Sequence, residues 1–330
     1  MSNFLTLVSI ENTKLWKRLS TKIMLIIMVV IIILATSFLK YYNVSNKISN
    51  TGTVSETWKQ ELQKNVDSQK VQLKNAESEK NKMLKTSIGS LKKSIAEGEY
   101  SINNDIKPEA KTNVWARSTN FYVSANLGAL IALFLVISCS ALVAGEFSEG
   151  TMKMMISRPY KRHEILSAKL IATILYGLVL LVTTFLLNFL MMGIFFGFDG
   201  IGAKEMLWTS SKIIYLPAAL KTFIVFGLDF LQVLVYVILA FAISAISRSR
   251  SIATGFSLFL LLVGSSIMLL VALYFNWGKY LPLAMSGFAS FVTIGATIEG
   301  TTLTFALIIS AIYSIIFCFA GYYVFEKRDI

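Results

Sequence analysis

Long apolar runs with little or no charge recur six times along the chain, and each is long enough to cross a bilayer or nearly so. A helix rises about 1.5 Å per residue, so about 20 residues span the hydrocarbon layer. The runs cover residues 23–39, 121–145, 170–198, 222–247, 252–275 and 303–325. The pattern predicts an all-α polytopic membrane protein with six transmembrane helices.

The polar segments between the runs complete the predicted domain order. Residues 1–20 precede the first span, 21–39, and place Phe4, Val8, Leu15 and Leu19 on one helical stripe. They form either an amphipathic helix on the inner membrane surface or a charged flank that sets topology. No small-x-small cleavage site precedes Lys40, which favours a retained anchor over a signal peptide. Residues 121–330 hold the other five spans, with a cytoplasmic loop at 145–169.

Residues 40–120 differ from the rest of the chain and are predicted to be an extracytoplasmic helical segment. They carry 14 basic and 9 acidic residues, and apolar residues recur between 58 and 95 at spacings of three, four and seven. Gly89 can divide the helix in two, and Gly98 and Pro108 are expected to end the helix beyond that break. An apolar stripe this narrow buries too little surface for an independent core. The segment is therefore expected to form a helical hairpin, or to pair with a second copy or a partner protein. The segment is then a solvated stalk or a receptor-like or gating element.

Composition and charge agree with a membrane protein and assign the basic residues a role. Hydrophobic residues make up 55% of the chain and charged residues 15%, which excludes an ordinary soluble domain. Of 31 Lys and Arg, 13 fall on one predicted side, at both termini and in two loops, and four on the opposite short loops. This asymmetry predicts that both termini are cytoplasmic in the cell membrane. The net charge of +12 therefore reflects topology, and we expect no nucleic-acid partner.

The sequence contains no recognisable catalytic, metal or cofactor-binding constellation, so we expect none. His163 is the single histidine, and Cys139 and Cys318 fall inside spans without metal-ligand spacing. The GxxxxG pattern at 145–150 lacks the lysine of a phosphate-binding loop. Asp229 is the best candidate for an ion site inside a span, but one acid with Lys221 two helical turns away favours a water-accessible or hydrogen-bonded residue instead.

The loop at 145–169 holds the most informative charges. A helix is expected to leave the membrane with Glu146 and Glu149 exposed, and Gly150 permits a bend. Pro159 biases Arg158 toward extended backbone and can begin the next helix. The result is a charged turn suited to docking a cytoplasmic partner.

This loop resembles the one after the second span of type-2 ABC export permeases. The matching residues are Glu146, Glu149, Gly150, Thr151, Arg158, Pro159, Arg162 and Lys169. The N-terminal stretch with Glu11, Lys14, Leu15 and Arg18, the six-span layout and the apolar stretch around Pro282 are similar too. The resemblance covers residues 1–40 and 121–330, and the 81-residue segment between them looks like an insertion found in some Gram-positive members.

The resemblance implies a transport subunit without an ATPase site of its own. Two permease halves, either two copies or this chain with a paralogue, would pair in the lipid bilayer above separate ABC ATPase subunits that bind ATP and Mg. Glu146, Glu149, Arg158 and Arg162 would transmit ATPase motion. The cargo would be an amphipathic antimicrobial peptide, lipid or drug. The alternatives are a membrane sensor or scaffold that uses its external helical segment, and an ion-coupled carrier that uses Asp229.

Overall fold

The computed structural model describes residues 2–46, 57–78, 84–107, 113–148, 150, 160–209, 212–247 and 249–327. Most of these residues are helical. In chain order the helices are α1 (Ser2–Lys17), α2 (Leu19–Asn46), α3 (Trp58–Ser78), α4 (Ile88–Asn103), α5 (Val114–Ser124), α6 (Leu127–Ser148), α7 (Arg162–Phe196), α8 (Ala218–Ser247), α9 (Arg250–Phe259), α10 (Ser265–Tyr274), α11 (Phe288–Thr293) and α12 (Leu303–Glu326). Strands β1 (Lys204–Trp208) and β2 (Ile213–Pro217) form one antiparallel hairpin.

Six helices are long and apolar enough to cross a membrane, which confirms the predicted all-α polytopic class. They are Leu19–Tyr42, Leu127–Ser148, Arg162–Phe196, Ala218–Ser247, Arg250–Tyr274 and Leu303–Glu326. The fifth contains a π-helical turn, Leu260–Gly264, between α9 and α10. The second starts later than position 121, because Asn126 adopts a left-handed conformation with φ 51° and separates α5 from α6. Asparagine tolerates that conformation better than most residues.

Helix α6 is the centre of the transmembrane bundle. It packs against α7, α8 and α9, and it is the most buried of the six spans. Small residues on its faces, including Ala132, Ala141 and Ala144, are buried and allow the neighbouring helices to approach closely. In contrast, α2 and α12 expose much of their apolar surface, as expected for helices that contact lipid.

Residues 40–120, for which an extracytoplasmic position is predicted, contain a helical hairpin, one of the predicted arrangements. Helices α3 and α4 pack together, with Val66 buried between them. Exposed ion pairs, such as Lys70 with Glu99 at 2.7 Å, link the two helices and contribute little each. Gly98 does not end the helix as expected, because its missing side chain makes room for Val66. Pro108 lies outside the described residues.

The α3–α4 hairpin also packs on the rest of the molecule. An added Cβ at Gly89 would lie 2.1 Å from the carbonyl oxygen of Ala296, so the two backbones touch. Lys93 donates a hydrogen bond to the carbonyl of Thr293. The β-hairpin, which the sequence analysis did not predict, lies at this same end and contacts α11 and α4. We call this side the hairpin end of the molecule.

Replacing Gly98 with Ala is expected to loosen the α3–α4 hairpin. Ala normally stabilises a helix interior by about 0.5–1 kcal/mol relative to Gly. Here its Cβ would lie 2.4 Å from Val66 Cγ2, a clash with a stiff β-branched side chain. Hydrogen exchange of the α3 and α4 amides should therefore be faster in Gly98→Ala than in the parent protein.

Pairing Gly98→Ala with Val66→Ala removes the clashing methyl group and supplies the control. Exchange in the double variant should be slower than in Gly98→Ala alone. Equal exchange in both variants would contradict the proposed close contact.

Candidate functional site: a ring of buried charges

Four charged side chains meet where α1, α6 and α7 converge, at the end of the molecule opposite the hairpin end. Lys169 Nζ lies 2.8 Å from Glu11 Oε2 and 2.7 Å from Glu146 Oε2. Lys14 Nζ lies 2.7 Å from Glu11 Oε1 and 3.1 Å from Glu146 Oε1. Each carboxylate therefore contacts both lysines, and we call these four residues the charge ring.

The helices place each member of the ring by their own periodicity. Glu11 and Lys14 are one helical turn apart on α1, on the same face as the buried Leu7 and Leu15. Glu146 lies in the last turn of α6, and Lys169 lies two turns into α7. The apolar stripe of α1 thus packs against α7, and the charged positions of that stripe meet the opposite charges of α6 and α7.

Burial makes the pairing compulsory. The side chains of Lys169 and Glu11 are fully buried, and only Lys14 is substantially exposed, at 34%. Removing a charge from water costs several kcal/mol unless opposite charges and hydrogen bonds compensate for it. Two Glu and two Lys leave the ring formally neutral. Removing any one member leaves a net charge in a buried site.

The ring holds its two members from α1 in the charged form. Burial alone would raise the pKa of Glu11, but Lys169 and Lys14 outweigh that effect, so the pKa of Glu11 is lowered. Burial likewise opposes the charged form of Lys14, and its contacts with Glu11 and Glu146 prevail, so the pKa of Lys14 is raised. Both shifts favour an ionised ring at neutral pH.

Aromatic and hydroxyl contacts extend the ring into the bundle. The Tyr176 hydroxyl donates to the carbonyl of Thr21 at 3.0 Å, and its ring meets Trp16 edge-on at 5.6 Å. These two contacts join the junction of α1 and α2 to α7, two helical turns after Lys169 along α7. Helix α1 is thus held against α7 by charge pairing at Lys169 and by aromatic packing at Tyr176.

The start of α7 is joined to the end of α12. Lys161 is the residue that caps the start of α7, and its backbone N–H donates a hydrogen bond to the side chain of Glu164. Arg162 donates to the carbonyl of Glu326 at 3.3 Å, and His163 Nδ1 lies 3.3 Å from the Glu326 carboxylate. The start of α7 and the end of α12 are therefore held together at the same end of the molecule as the charge ring.

The expected exposure of Glu146 is wrong. Glu146 is only 6% exposed, because Lys14 and Lys169 attract its carboxylate toward the protein interior. Arg162 is half-buried, and Gly150 has φ +70° with open space around it, in keeping with a bend. Glu149, Thr151, Arg158 and Pro159 lie outside the described residues.

The closed ring itself was missed by the sequence reasoning. Glu11, Glu146 and Lys169 each belong to the segments that resemble the permeases, but their mutual contact depends on three helices separated widely in sequence. One available signal was Lys169 itself, a lysine followed directly by the apolar run of a span. An ionisable residue in that position needs a partner.

The remaining candidates are possible metal ligands, the two cysteines and Asp229. No group of three or more His, Cys, Asp or Glu residues that could hold a metal ion occurs in the described part of the chain. Cys139 is buried and Cys318 is half-buried, and both are free thiols. Asp229 accepts a hydrogen bond from the Tyr122 hydroxyl and lies against Gly128, where an added Cβ would overlap its carboxylate.

Replacing Lys169 with Met is expected to destabilise the protein strongly. The change leaves Glu11 and Glu146 with Lys14 as their one remaining lysine within the ring, and breaking a buried pair costs about 3–5 kcal/mol. Thermal unfolding of the full chain in lipid nanodiscs should show a large fall in Tm.

Two further variants distinguish this effect from general damage. Lys161→Met makes the same substitution at an exposed position and should leave Tm nearly unchanged. Combining Lys169→Met with Glu11→Gln restores charge balance and should recover part of the loss. A Tm of Lys169→Met equal to that of Lys161→Met would show that the ring does not stabilise the fold.

The pH dependence of stability should reflect both shifted groups. A lowered pKa of Glu11 contributes stability above its unfolded value of 4.5, and this contribution is lost as pH falls through the lower folded value. A raised pKa of Lys14 contributes stability below 10.5, and this is lost as pH rises through the higher folded value. Tm should therefore decrease below pH 4.5 and above pH 10.5.

Glu11→Gln should flatten the acid side of this profile. Glu61→Gln, an exposed change on α3, is the control and should retain the parent profile. An unchanged acid side in Glu11→Gln would contradict the assignment to Glu11.

Related sequences share most of the chain. A family profile matches residues 89–330, well over half of the protein. An uncharacterized protein, YhcI, of Bacillus subtilis (strain 168) is 33% identical over 328 residues, which cover 99% of both chains. The uncharacterized membrane protein YdbK of the same organism is 25% identical over 207 residues, or 62% of this chain and 80% of that protein. The chain therefore belongs to the family described as protein of unknown function (DUF2705).

Proposed function

We propose that this chain is the membrane-spanning permease subunit of an ATP-driven ABC exporter. A separate ATPase subunit binds and hydrolyses ATP with Mg, and docks on the loop at 145–169. The permease pairs with a second copy or a paralogous permease and moves an amphipathic antimicrobial peptide, lipid or drug outward. The observation that carries the proposal is the charge ring beneath that loop.

The ring suits the transmission of force. It joins α1, α6 and α7 through four ion contacts of 3.1 Å or less. Sliding one helix past another would separate buried charges, so a push on the loop is passed to three helices as a unit. Arg162 and His163 add α12 through Glu326. A docked ATPase that moves this base would therefore move much of the bundle.

The proposed orientation places the ring end in the cytoplasm. Lys14 and Lys17 of α1, Arg250 at the start of α9, and Lys327 after α12 all lie near this end. Basic residues concentrate on the cytoplasmic side of membrane proteins. Both termini are then cytoplasmic, and the α3–α4 hairpin and the β-hairpin are outside.

A sensor or scaffold role is the second candidate, and one observation favours it. The α3–α4 hairpin does not extend freely from the membrane part but contacts residues 293–296 through Gly89 and Lys93. A ligand that displaced the hairpin would directly break the contacts at those residues. In that case the chain would copurify with a signalling partner and without an ATPase.

Purification of the tagged chain from the membranes of its own cells tests the proposal. We expect a nucleotide-binding ATPase to copurify and the complex to hydrolyse MgATP. Glu149→Lys should reduce ATPase recovery or the coupling of hydrolysis to transport, while the purified chain keeps the parent Tm. Charge reversal of buried Glu146 is unsuitable, because it would disrupt the ring.

Glu61→Lys is the matched control for that experiment. It makes the same charge change on the exposed surface of α3 at the opposite end, and should leave ATPase recovery unaltered. Recovery of the chain without any ATPase, or equal recovery in Glu149→Lys with normal transport, would overturn the proposal.

A further inference from the structure

A cleft lined by hydroxyl groups lies at the hairpin end, between α10 and the segment after it. Its volume is about 190 Å³. Ser265 and Ser266 from α10 face Ser286, Ser290 and Thr297 across it, with Leu283 and Phe291 among the apolar walls. We call this the hydroxyl cleft. Among the residues that the structure describes, no ionisable side chain lines it.

The backbone around the hydroxyl cleft is irregular on both sides. A π-helical turn, Leu260–Gly264, ends immediately before Ser265, and such turns are frequent at functional sites. The opposite wall has a non-helical stretch before α11 begins at Phe288. Irregular backbone is tolerated in a membrane protein where it lines a polar cavity.

The hydroxyl groups of the cleft offer both acceptors and donors of hydrogen bonds. Ser265 donates to the carbonyl of Leu261, and Ser290 donates to the carbonyl of Gly287. The Tyr236 hydroxyl donates to Ser286 Oγ at 3.1 Å, so Ser286 keeps its own proton to donate. Each serine has one donor and two acceptor lone pairs, so hydroxyls whose proton is already used retain acceptor capacity. The complementary ligand therefore has groups that both donate and accept hydrogen bonds, as hydroxyl groups do.

A second cavity adjoins the hydroxyl cleft and extends it. It measures about 330 Å³ and shares Thr297 and Ile298 with the first. Apolar Ala272 and Leu273 line it on one side, and Asn276, Lys279 and Glu299 line the other. Together the cavities reach the size of ordinary small-molecule sites, about 300–1,000 Å³.

We propose that the hydroxyl cleft binds the uncharged, polyhydroxyl headgroup of an amphipathic molecule whose chain lies along the exposed apolar surface of α10. The hydroxyl cleft itself is uncharged, and Lys279 and Glu299 line the adjoining cavity, so a charged head would be costly to bury in the hydroxyl cleft. Exposed Ile267 and Leu270 on α10 provide the apolar surface. Binding needs no ATPase, so this site stands or fails independently of the proposed export function.

Photolabelling of the full chain in lipid nanodiscs tests the site. The probe is an alkyl glucoside with a diazirine in its chain, and labelled peptides are mapped by mass spectrometry. We expect labelling to concentrate in residues 265–300 and to fall at least about fivefold with excess octyl glucoside, since both compounds present the same neutral head. Octyl sulfate and octyltrimethylammonium, with the same chain and charged heads, should compete much less.

Two variants that fill the cleft sharpen the test. Ser266→Leu and Thr297→Leu replace lining hydroxyls with larger apolar groups and should each reduce labelling several-fold. Ser314→Leu makes a similar change on α12 outside the cleft and is the control. Each variant is compared only if its Tm matches that of the parent, and octyl glucoside competition on the unaltered chain needs no variant.

Three results would overturn the proposal. Labelling spread evenly over the lipid-facing helices would show no site. Equal competition by the charged octyl compounds would exclude a site selective for neutral polyhydroxyl heads. Unchanged labelling in both cleft variants would place the bound headgroup elsewhere.

Discussion

The neutralisation of buried charge by the ring of Glu11, Lys14, Glu146 and Lys169 is the constraint on which this end of the molecule depends. Hydrophobic burial gives little preference for one helix arrangement over another inside a membrane, because lipid chains are as apolar as the side chains. Ion pairs in a buried site do discriminate, since a shifted helix leaves charges unpaired. The ring therefore fixes which helices are neighbours and at what level they meet.

The two ends of the protein are held by different forces. The ring end relies on charge pairing among three helices and on polar contacts between α7 and α12. At the hairpin end, close packing at glycines acts beside an ion pair between Lys221 and Glu205 at 2.9 Å: Gly89 touches Ala296, and Gly98 accommodates Val66. Such contacts depend on shape, and small residues are required where they occur. This end also contains the irregular backbone and both polar cavities.

Local sequence predicted those elements whose signal is contained in one stretch of chain. The six spans follow from the length of the apolar runs, and the helices within residues 40–120 follow from apolar spacing, with the hairpin as one of the predicted arrangements. Gly98 was misjudged because the same residue that weakens an isolated helix also permits close packing against a neighbour. The β-hairpin was missed because its strands are five residues each, although Ile213, Ile214 and Tyr215 have high strand preference. The burial of Glu146 depends on Lys14 and Lys169, which lie far from it in sequence, and periodicity contains no such information.

The ring also has a consequence for biogenesis. Glu11 is synthesised 158 residues before Lys169, roughly 10–30 s earlier at ordinary rates of translation. During that interval Glu11 has Lys14 as its ring partner on α1, and Lys169 of α7 has not yet been made. Helix α1 therefore reaches its final position only after the third span has been inserted. Closure of the ring thus marks the moment at which the N-terminal half of the bundle is correctly assembled.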